Sequence, residues 1–484
     1  MIGHDVFLPA PLLAVPSGIM VMLAATVWRR SAGRSLACAM VTLLLALAVV
    51  GRHTGGRPDN GDSLFIQDRW TSYTAALIIF STLCILLMSW RDRGHDGTTR
   101  VDEYSLLFML GTLGALAMVF SANYMPFFLG LEILGVSITG LATFRYRPVM
   151  AGCEAAMKYL ILSGVSSAIF LFGTGLAYGV TGSLRFTPPV AAGGMPAALP
   201  VAATVMVLAG MFFKLSAAPF HMWLPDVMEG APVPVAAFVA VVSKIAIFSA
   251  LVRYFGTGAQ PPFLNDIVSV VIILTIMAGN LLALRQTSLT RLMACSSIAH
   301  VGYLLIAFLC PGHVQSGAIT VYLAAYAAST LGVFATMTAF ASPDGPDGTR
   351  IAQWRGLFFS RPFLASAMAL MLFSLAGIPP GIGFLAKFEV AATGVEHQRD
   401  VLLCTLIIGS IIGLYYYLNI IRIMMTAPLL PAHPLKRHAR PELAALVIVL
   451  TIIVVIGGLF PARAIHPLLP APPAPPGLPD GMTH

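Results

Sequence analysis

Apolar runs long enough to cross a bilayer follow one another along almost the whole chain, and that pattern leaves few folds open. A spanning helix needs roughly 20 apolar residues in succession. Such runs fall near 8–28, 35–51, 71–90, 104–121, 126–144, 155–179, 198–222, 232–254, 265–284, 292–310, 316–340, 362–394, 400–424 and 442–460. Fourteen spans in 484 residues leave little chain for an extramembrane domain. A hydrophobic share of 58% against 10% charged residues would force a soluble domain to expose large apolar patches. Hydrocarbon offers no water to satisfy backbone amides, so they must pair within their own segments. The expected class is all-α: a polytopic membrane protein of about fourteen transmembrane helices.

The formal net charge of +8 belongs to membrane topology rather than to nucleic acid, because the arginines sit in short clusters between apolar runs. Cytoplasmic loops retain positive charge. With the N-terminus placed outside, the loops holding Arg29 to Arg34, Arg91 to Arg100, Arg145 and Arg147, Arg285 and Arg291, Arg350 to Arg361, and Arg422 to Arg440 carry seventeen basic residues. The opposite side carries seven: Arg52, Arg57, Arg69, Arg185, Arg253, Arg399 and Arg463. An even number of spans with both termini periplasmic keeps this separation. The first segment, Leu8 to Trp28, lacks a basic leader and an A-x-A-like cleavage site close behind it, so it is expected to stay as a span. Cys38, Cys84, Cys153, Cys295, Cys310 and Cys404 stand singly without metal-ligand spacing and read as small core residues.

The four basic residues left over are all lysines: Lys158, Lys214, Lys244 and Lys387, out of five in the chain. Each lies within or at the edge of a span. An arginine does not give up its proton inside a protein, whereas a desolvated lysine can be pushed toward neutrality. A buried proton path therefore calls for lysine.

Helices 7 and 12 are each interrupted. Phe213-Lys214-Leu215-Ser216-Ala217-Ala218-Pro219 and Phe373-Ser374-Leu375-Ala376-Gly377-Ile378-Pro379 share the pattern F-x-L-x-x-x-P, 160 residues apart, and Pro380 follows the second. A proline deletes one helical hydrogen bond and clashes with the carbonyl four residues back. Helices broken at matching places suggest a transporter-type repeat, with inverted five-helix units over 104–254 and 265–424. The remaining segments are an N-terminal three-helix part, 1–103, and a C-terminal helix with a Pro-rich tail, 425–484. Simple proline kinks would leave the same signature.

Glu132 sits mid-span with no charge for ten residues on either side. A lone charge at that depth costs about 2.5–3.5 kcal/mol on insertion scales, so it should face the bundle interior and hold a partner. Lys214 and Lys244 are similarly isolated. An ion pair that merely locks helices together is the alternative for any two of them. Lys387 lies two residues from Glu389, so the two point apart on a helix; a lysine near a span end can also snorkel to the interface. His300, with Ser296, Ser297 and Tyr303, forms a polar stripe that suits a proton relay, or equally a satisfied core histidine. Glu154 and Lys158 are spaced as an i,i+4 surface pair. Ser243 precedes Lys244, and Tyr322, Tyr326 and Tyr415 to Tyr417 fit either wet cavities or interfacial belts. No nucleotide loop, haem or iron–sulfur ligand set or Ser-His-Asp arrangement is legible, so no redox cofactor is expected in this chain.

The segments LGLEILG at 129–135, EAAMKYLILSGVSSAIFLFGTGLAYGVTGSL at 154–184, FFKLSAAPFHMWLPDVMEGAPVPVAAFVAVVSK at 212–244, QTSLTRLMACSSIAHVGYLL at 286–305 and LAGIPPGIGFLAKF at 375–388 resemble the antiporter-like subunits of respiratory complex I. PDVMEGAP followed by a Ser-Lys pair is most similar to the subunit N branch; the subunit M branch usually has glutamate at the position of Lys387. The resemblance covers roughly residues 104–425 and implies two inverted five-helix repeats, each a proton half-channel, with broken helices 7 and 12. It also implies that Glu132 pairs with Lys214, that Lys244 is the central lysine, that His300 lies between, and that Lys387 is the terminal lysine. Tyr303, Tyr326, Ser243, Glu154 and Lys158 are accessory candidates, and Pro219, Pro379 and Pro380 mark the breaks. By the same resemblance NADH, FMN, iron–sulfur clusters and quinone belong to other subunits, and no metal is bound here. The implied partners are other complex I membrane subunits, including a second antiporter-like subunit and small membrane subunits, in the bacterial inner membrane. The related multisubunit cation/proton antiporters share these motifs. VMEG stands where V-Y-E-G is more usual.

Overall fold

The computed structural model describes residues 8–28, 31–52, 63–90, 101–144, 149–189, 198–256, 262–310, 313–341, 348–427 and 441–460. Arg29, Arg30, Arg57, Arg91, Arg93, Arg100, Arg145, Arg147, Lys436, Arg437, Arg440, Arg463 and the Pro-rich tail from Pro461 lie outside the described residues.

Three helices open the chain: α1 (Ala10–Trp28), α2 (Ala32–Arg52) and α3 (Arg69–Ser89). A first unit follows, made of α4 (Val101–Phe120), α5 (Tyr124–Ala142), α6 (Val149–Thr181), α7 (Ala198–Leu215), α8 (Trp223–Gly230) and α9 (Val233–Gly256). The second unit is α10 (Pro262–Ala283), α11 (Leu289–Phe308), α12 (His313–Phe340), the single turn α13 (Leu357–Ser360), α14 (Pro362–Ala376), α15 (Ile382–Glu396) and α16 (Asp400–Met425). A final helix, α17 (Pro441–Leu459), closes the described chain. Among the described residues thirteen helices are long and apolar enough to cross a membrane, α1 included. The expected fourteenth, 362–394, is divided into α14 and α15, each of 15 residues. Helix 7 reaches farther than its apolar run suggested: after the break it continues as α8 to Gly230 rather than ending near 222.

The two units are built alike. In the first, α4 packs on α5 and α6 on α7; in the second, α10 packs on α11, and α12 on both α14 and α15. An isolated antiparallel bridge joins Asn123 to Arg185, the loops before α5 and after α6; another joins Ser288 to Arg350, the loops before α11 and after α12. Because each unit makes five crossings, the second enters the membrane from the side opposite to the first.

Helix association in hydrocarbon depends on close packing and hydrogen bonds rather than on hiding apolar surface. A Cβ on Gly114 of α4 would lie 2.6 Å from the Gly130 carbonyl oxygen of α5, and one on Gly279 of α10 would lie 2.5 Å from the Ala299 amide of α11. Glycine alone permits these contacts. Helices α9, α11 and α12 are almost wholly buried and form a central spine, while α1, α2 and α17 leave most of their apolar side chains outward. Cys84, Cys295 and Cys310 are buried as expected, but Cys153 and Cys404 are exposed. A thiol is apolar enough to stand on an outward helix face without cost.

Asp68 caps α3, accepting from the Thr71 amide at 2.7 Å while its own amide donates to Thr71 Oγ1 at 2.9 Å. Its other oxygen meets Arg253 Nη2 at 2.7 Å, tying α3 to α9. Burial pushes the Asp68 carboxyl up, but the Arg253 guanidinium and the Thr71 amide together outweigh it and hold the carboxyl below its usual range. A depressed acid contributes stability above its unfolded pKa of about 4 and loses that contribution as pH falls through the lower folded value. Asp68→Ala is expected to cost about 1–3 kcal/mol, from the lost cap and the stranded guanidinium. Thermal unfolding should show that deficit at pH 7 and a smaller one in acid, as pH falls through the lowered folded value.

Candidate functional site

Both broken helices end in the same way. Ser216, at φ +60°, closes α7, with the Ala217 amide donating to the Phe212 carbonyl and the Ser216 amide to the Phe213 carbonyl, both at 2.9 Å. Gly377, at φ +85°, closes α14, with the Ile378 amide on the Phe373 carbonyl and the Gly377 amide on the Ser374 carbonyl, both at 3.0 Å. This is the Schellman arrangement, whose left-handed residue favours glycine. The breaks therefore superpose at an offset of 161 residues, not the 160 suggested by F-x-L-x-x-x-P, and Pro219 corresponds to Pro380 rather than Pro379. The sequence pattern matched the wrong register because hydrogen-bond geometry, not phenylalanine spacing, sets where each helix stops.

Each break leaves a carbonyl that the helix no longer uses, and a lysine amine occupies it. Lys244 Nζ, from α9, donates to the Leu215 carbonyl at 2.7 Å. Lys387 Nζ, from α15, donates to the Ala376 carbonyl at 2.8 Å. Leu215 and Ala376 are equivalent under the 161-residue offset, although the lysines come from different helices. The C-terminal end of a helix carries partial negative charge, so each cation sits on a favourable dipole inside the bundle. Lys244 is 3% exposed. The Lys387 side chain is half-buried, but its amine turns inward and lies 5.1 Å from the Tyr303 ring centroid rather than snorkelling outward. Among the described residues no ion pair joins Lys387 to Glu389, in line with their spacing.

Glu132 of α5 and Lys214 of α7 make no ion pair within 4.0 Å of each other. The resemblance implied that the two are paired. Instead each charge is held by a serine of α6: Ser167 Oγ donates to Glu132 Oε1, and Lys214 Nζ donates to Ser163 Oγ at 2.6 Å. The Tyr159 ring lies 5.4 Å from the same amine.

Both ring nitrogens of His300 meet tyrosine hydroxyls, Nδ1 with Tyr322 at 2.7 Å and Nε2 with Tyr417 at 3.3 Å. Ser296 bonds the Tyr417 hydroxyl, and Ser297 meets Tyr326 at 2.6 Å. Tyr326 in turn donates to the Ala240 carbonyl of α9 at 2.9 Å, one turn from Lys244. A small cavity of about 10 Å³, roughly one water's worth of space, joins His300 and Tyr322 to Lys387. Tyr303 belongs to a separate buried cluster, its hydroxyl accepting from Asn280 Nδ2 at 2.9 Å, while the Tyr416 hydroxyl donates to Asn280 Oδ1 at 3.3 Å. Tyr322, Tyr326, Tyr416 and Tyr417 are all buried, so they line the interior; Tyr415 alone of those noted is exposed. Ser243 is set apart, its hydroxyl engaged by its own helix at the Val239 carbonyl, 2.6 Å.

Glu154 and Lys158 do not join this axis. Lys158 meets Glu154 at 2.7 Å and Asp226 at 3.2 Å, while Arg291 meets Asp226 at 2.9 Å and Glu229 at 2.8 Å. These charges line an open cavity of about 680 Å³ between α6, α8 and the start of α11. The surface-pair reading of Glu154 and Lys158 fits this geometry.

Ser163, Ser167, Tyr159 and Asn280 were not singled out by the sequence. Asn280 had a signal, as the lone amide in VVIILTIMAGNLL. The α6 serines had a weaker one, hydroxyls spaced i,i+4 in step with Tyr159.

A bundle with two broken spans and lysines seated on their freed carbonyls defines an antiporter-like membrane protein. The chain belongs to the NADH:quinone oxidoreductase/Mrp antiporter transmembrane family, whose profile matches residues 121–413. Similar proteins include NADH-quinone oxidoreductase subunit N of Ectopseudomonas mendocina, 37% identical over 441 residues, 89% of this chain and 88% of that protein. Subunit N of Chromohalobacter salexigens is 37% identical over 467 residues, 94% of this chain and 97% of that one. Among solved structures, a chain of respiratory complex I from Thermus thermophilus matches with a TM-score of 0.81 at 28% identity, covering 95% of this chain and 99% of that chain. A chain of the Mrp complex from Dietzia sp. matches with the same score at 19% identity, covering 95% and 96%, and shares the fold.

Glu154→Gln should leave stability within about 0.5 kcal/mol of the parent, because Lys158 keeps Asp226 and exposed pairs contribute little. Asn280→Leu should cost about 1–3 kcal/mol by removing the buried bonds that Tyr303 and Tyr416 make to the amide. Thermal denaturation of the purified variants compares the two.

Proposed function

We propose that this chain is the subunit N-type, proton-translocating membrane-arm subunit of an NADH:quinone oxidoreductase. Protons move along Glu132, Lys214, Lys244, His300 and Lys387, driven by quinone reduction in other subunits. The observation that carries this reading is the pair of lysine amines on equivalent freed carbonyls, Lys244 on Leu215 and Lys387 on Ala376. A lysine held by one carbonyl dipole in a buried site has a partner in its charged form, yet no carboxylate to fix the proton there. Its proton affinity then responds to small changes nearby.

The units 104–254 and 265–424 act as two half-channels, with Lys244 completing the first and His300 passing the proton through Tyr322 and the intervening cavity toward Lys387. Entry from the cytoplasmic side loads the axis, and Lys387 releases to the periplasm. The orientation rests on the arginine distribution, which places both termini in the periplasm. Neighbouring membrane subunits, one of them antiporter-like, deliver the conformational work. NADH, FMN, iron–sulfur clusters and quinone reside in other subunits, so this chain is a translocase component without a catalytic cofactor.

The shared bundle of the Mrp chain supports a second reading, a subunit of a cation/proton antiporter. Na⁺ or K⁺ flux through the purified complex in liposomes, independent of NADH, would select it.

Lys244→Met and Lys387→Met in the assembled enzyme should each lower NADH-driven proton pumping at least about tenfold, with the complex intact on a native gel. Undiminished pumping in both variants refutes the proposal.

A further inference from the structure

Hydroxyls in the helices of this protein usually turn back on their own backbone. Ser137, Thr139 and Ser243, for example, each donate to the carbonyl four residues earlier, the ordinary fate of serine and threonine in a membrane helix. Two serines of α6 depart from this habit in opposite ways. Ser167 donates to the Glu132 carboxylate, and Ser163 accepts from the Lys214 ammonium. Both serines are buried, at 6% and 7% exposure, and lie one turn apart on the same helix face.

Lys214 stands close to where a direct pair would form. A Cβ on Gly135, one turn beyond Glu132 on α5, would lie 3.2 Å from Lys214 Nζ. The amine thus lies close against α5, the helix that carries the acid.

We infer that Ser163 and Ser167 are positioning residues that hold Lys214 and Glu132 charged but apart, so that the pair opens and closes without leaving either charge bare. A buried ion pair broken without replacement partners leaves uncompensated charges, which is strongly unfavourable. A hydroxyl that accepts from the ammonium and another that donates to the carboxylate supply those partners. The open state then approaches the closed one in free energy, which is what a switch requires. This deepens the proposed function and rests on it. The neighbouring Ser166 makes the comparison possible: its hydroxyl donates to the Gly210 carbonyl of α7 at 3.2 Å and ties helices together without touching either charge.

The experiment uses the assembled enzyme in proteoliposomes. Ser163→Ala combined with Ser167→Ala should lower NADH-driven proton pumping about tenfold, the effect of losing hydrogen bonds to charged groups. Ser166→Ala should leave it unchanged, and restoring hydroxyls as Ser163→Thr with Ser167→Thr should recover most of the loss. Infrared difference spectra, with the Glu132 carboxylate band assigned by its absence in Glu132→Gln, should show that band shifted by Ser167→Ala and unmoved by Ser166→Ala. Should the double variant not assemble, the band in Ser167→Ala alone decides. Normal pumping in the double alanine variant, or an unmoved band, overturns the inference while Glu132→Gln and Lys214→Met still impair pumping. Were those two variants also to pump normally, the proposed function itself would fail.

Discussion

The arrangement depends on what becomes of a helical carbonyl once its helix stops inside the membrane. In water such a group is solvated at little cost; in hydrocarbon it must find a donor, because an unpaired buried carbonyl costs several kcal/mol. This chain supplies ammonium groups, Lys244 at Leu215 and Lys387 at Ala376. Each lysine helps the break to persist, and each break gives a lysine its buried seat. The structural need of the carbonyl and the chemistry proposed for the lysine would be met by one contact.

The same constraint explains why the two units differ in detail while agreeing in plan. Equivalent carbonyls are served by a lysine from the following helix in the first unit and from the second half of the broken helix itself in the second. What is common to the units is the place where positive charge is needed, not the position in the chain that provides it. A search for paired lysines at a fixed spacing would have found nothing. The closing residues show a similar latitude: Ser216 adopts a left-handed backbone that Gly377 adopts more readily.

Much of the fold was legible because hydrocarbon enforces simple rules. Apolar length marked the spans, and the prolines marked both breaks. The register of the repeat was missed by one residue, since phenylalanine spacing does not encode where a Schellman turn closes. The buried charges also announced themselves, because a lone Glu132, Lys214 or Lys244 in an apolar run has few uses. Their partners were harder to read. Ser163, Ser167 and Asn280 are ordinary residues in membrane helices, and only three-dimensional packing shows that Ser163 faces Lys214 while Ser166 faces Gly210. Glu154 and Lys158 carried as much charge as the axis residues but lie in an open cavity among Asp226 and Arg291, and their i,i+4 spacing was the local sign of a surface pair.

Two kinds of polar contact thus divide the bundle. At the open cavity, Lys158, Asp226, Arg291 and Glu229 pair directly, and exposure keeps the energy of each pair small. Along the axis, lysines rest on carbonyls and hydroxyls, and Glu132 rests on Ser167 rather than on Lys214. A direct ion pair in low dielectric would be deep enough to hold its proton in place, as the desolvated Coulomb attraction grows steeply there. Neutral partners satisfy the charge without that depth. The proposed path, loading and unloading on each turnover, would gain from weak seats of this kind, its charges resting on hydroxyls and carbonyls rather than on opposite charges.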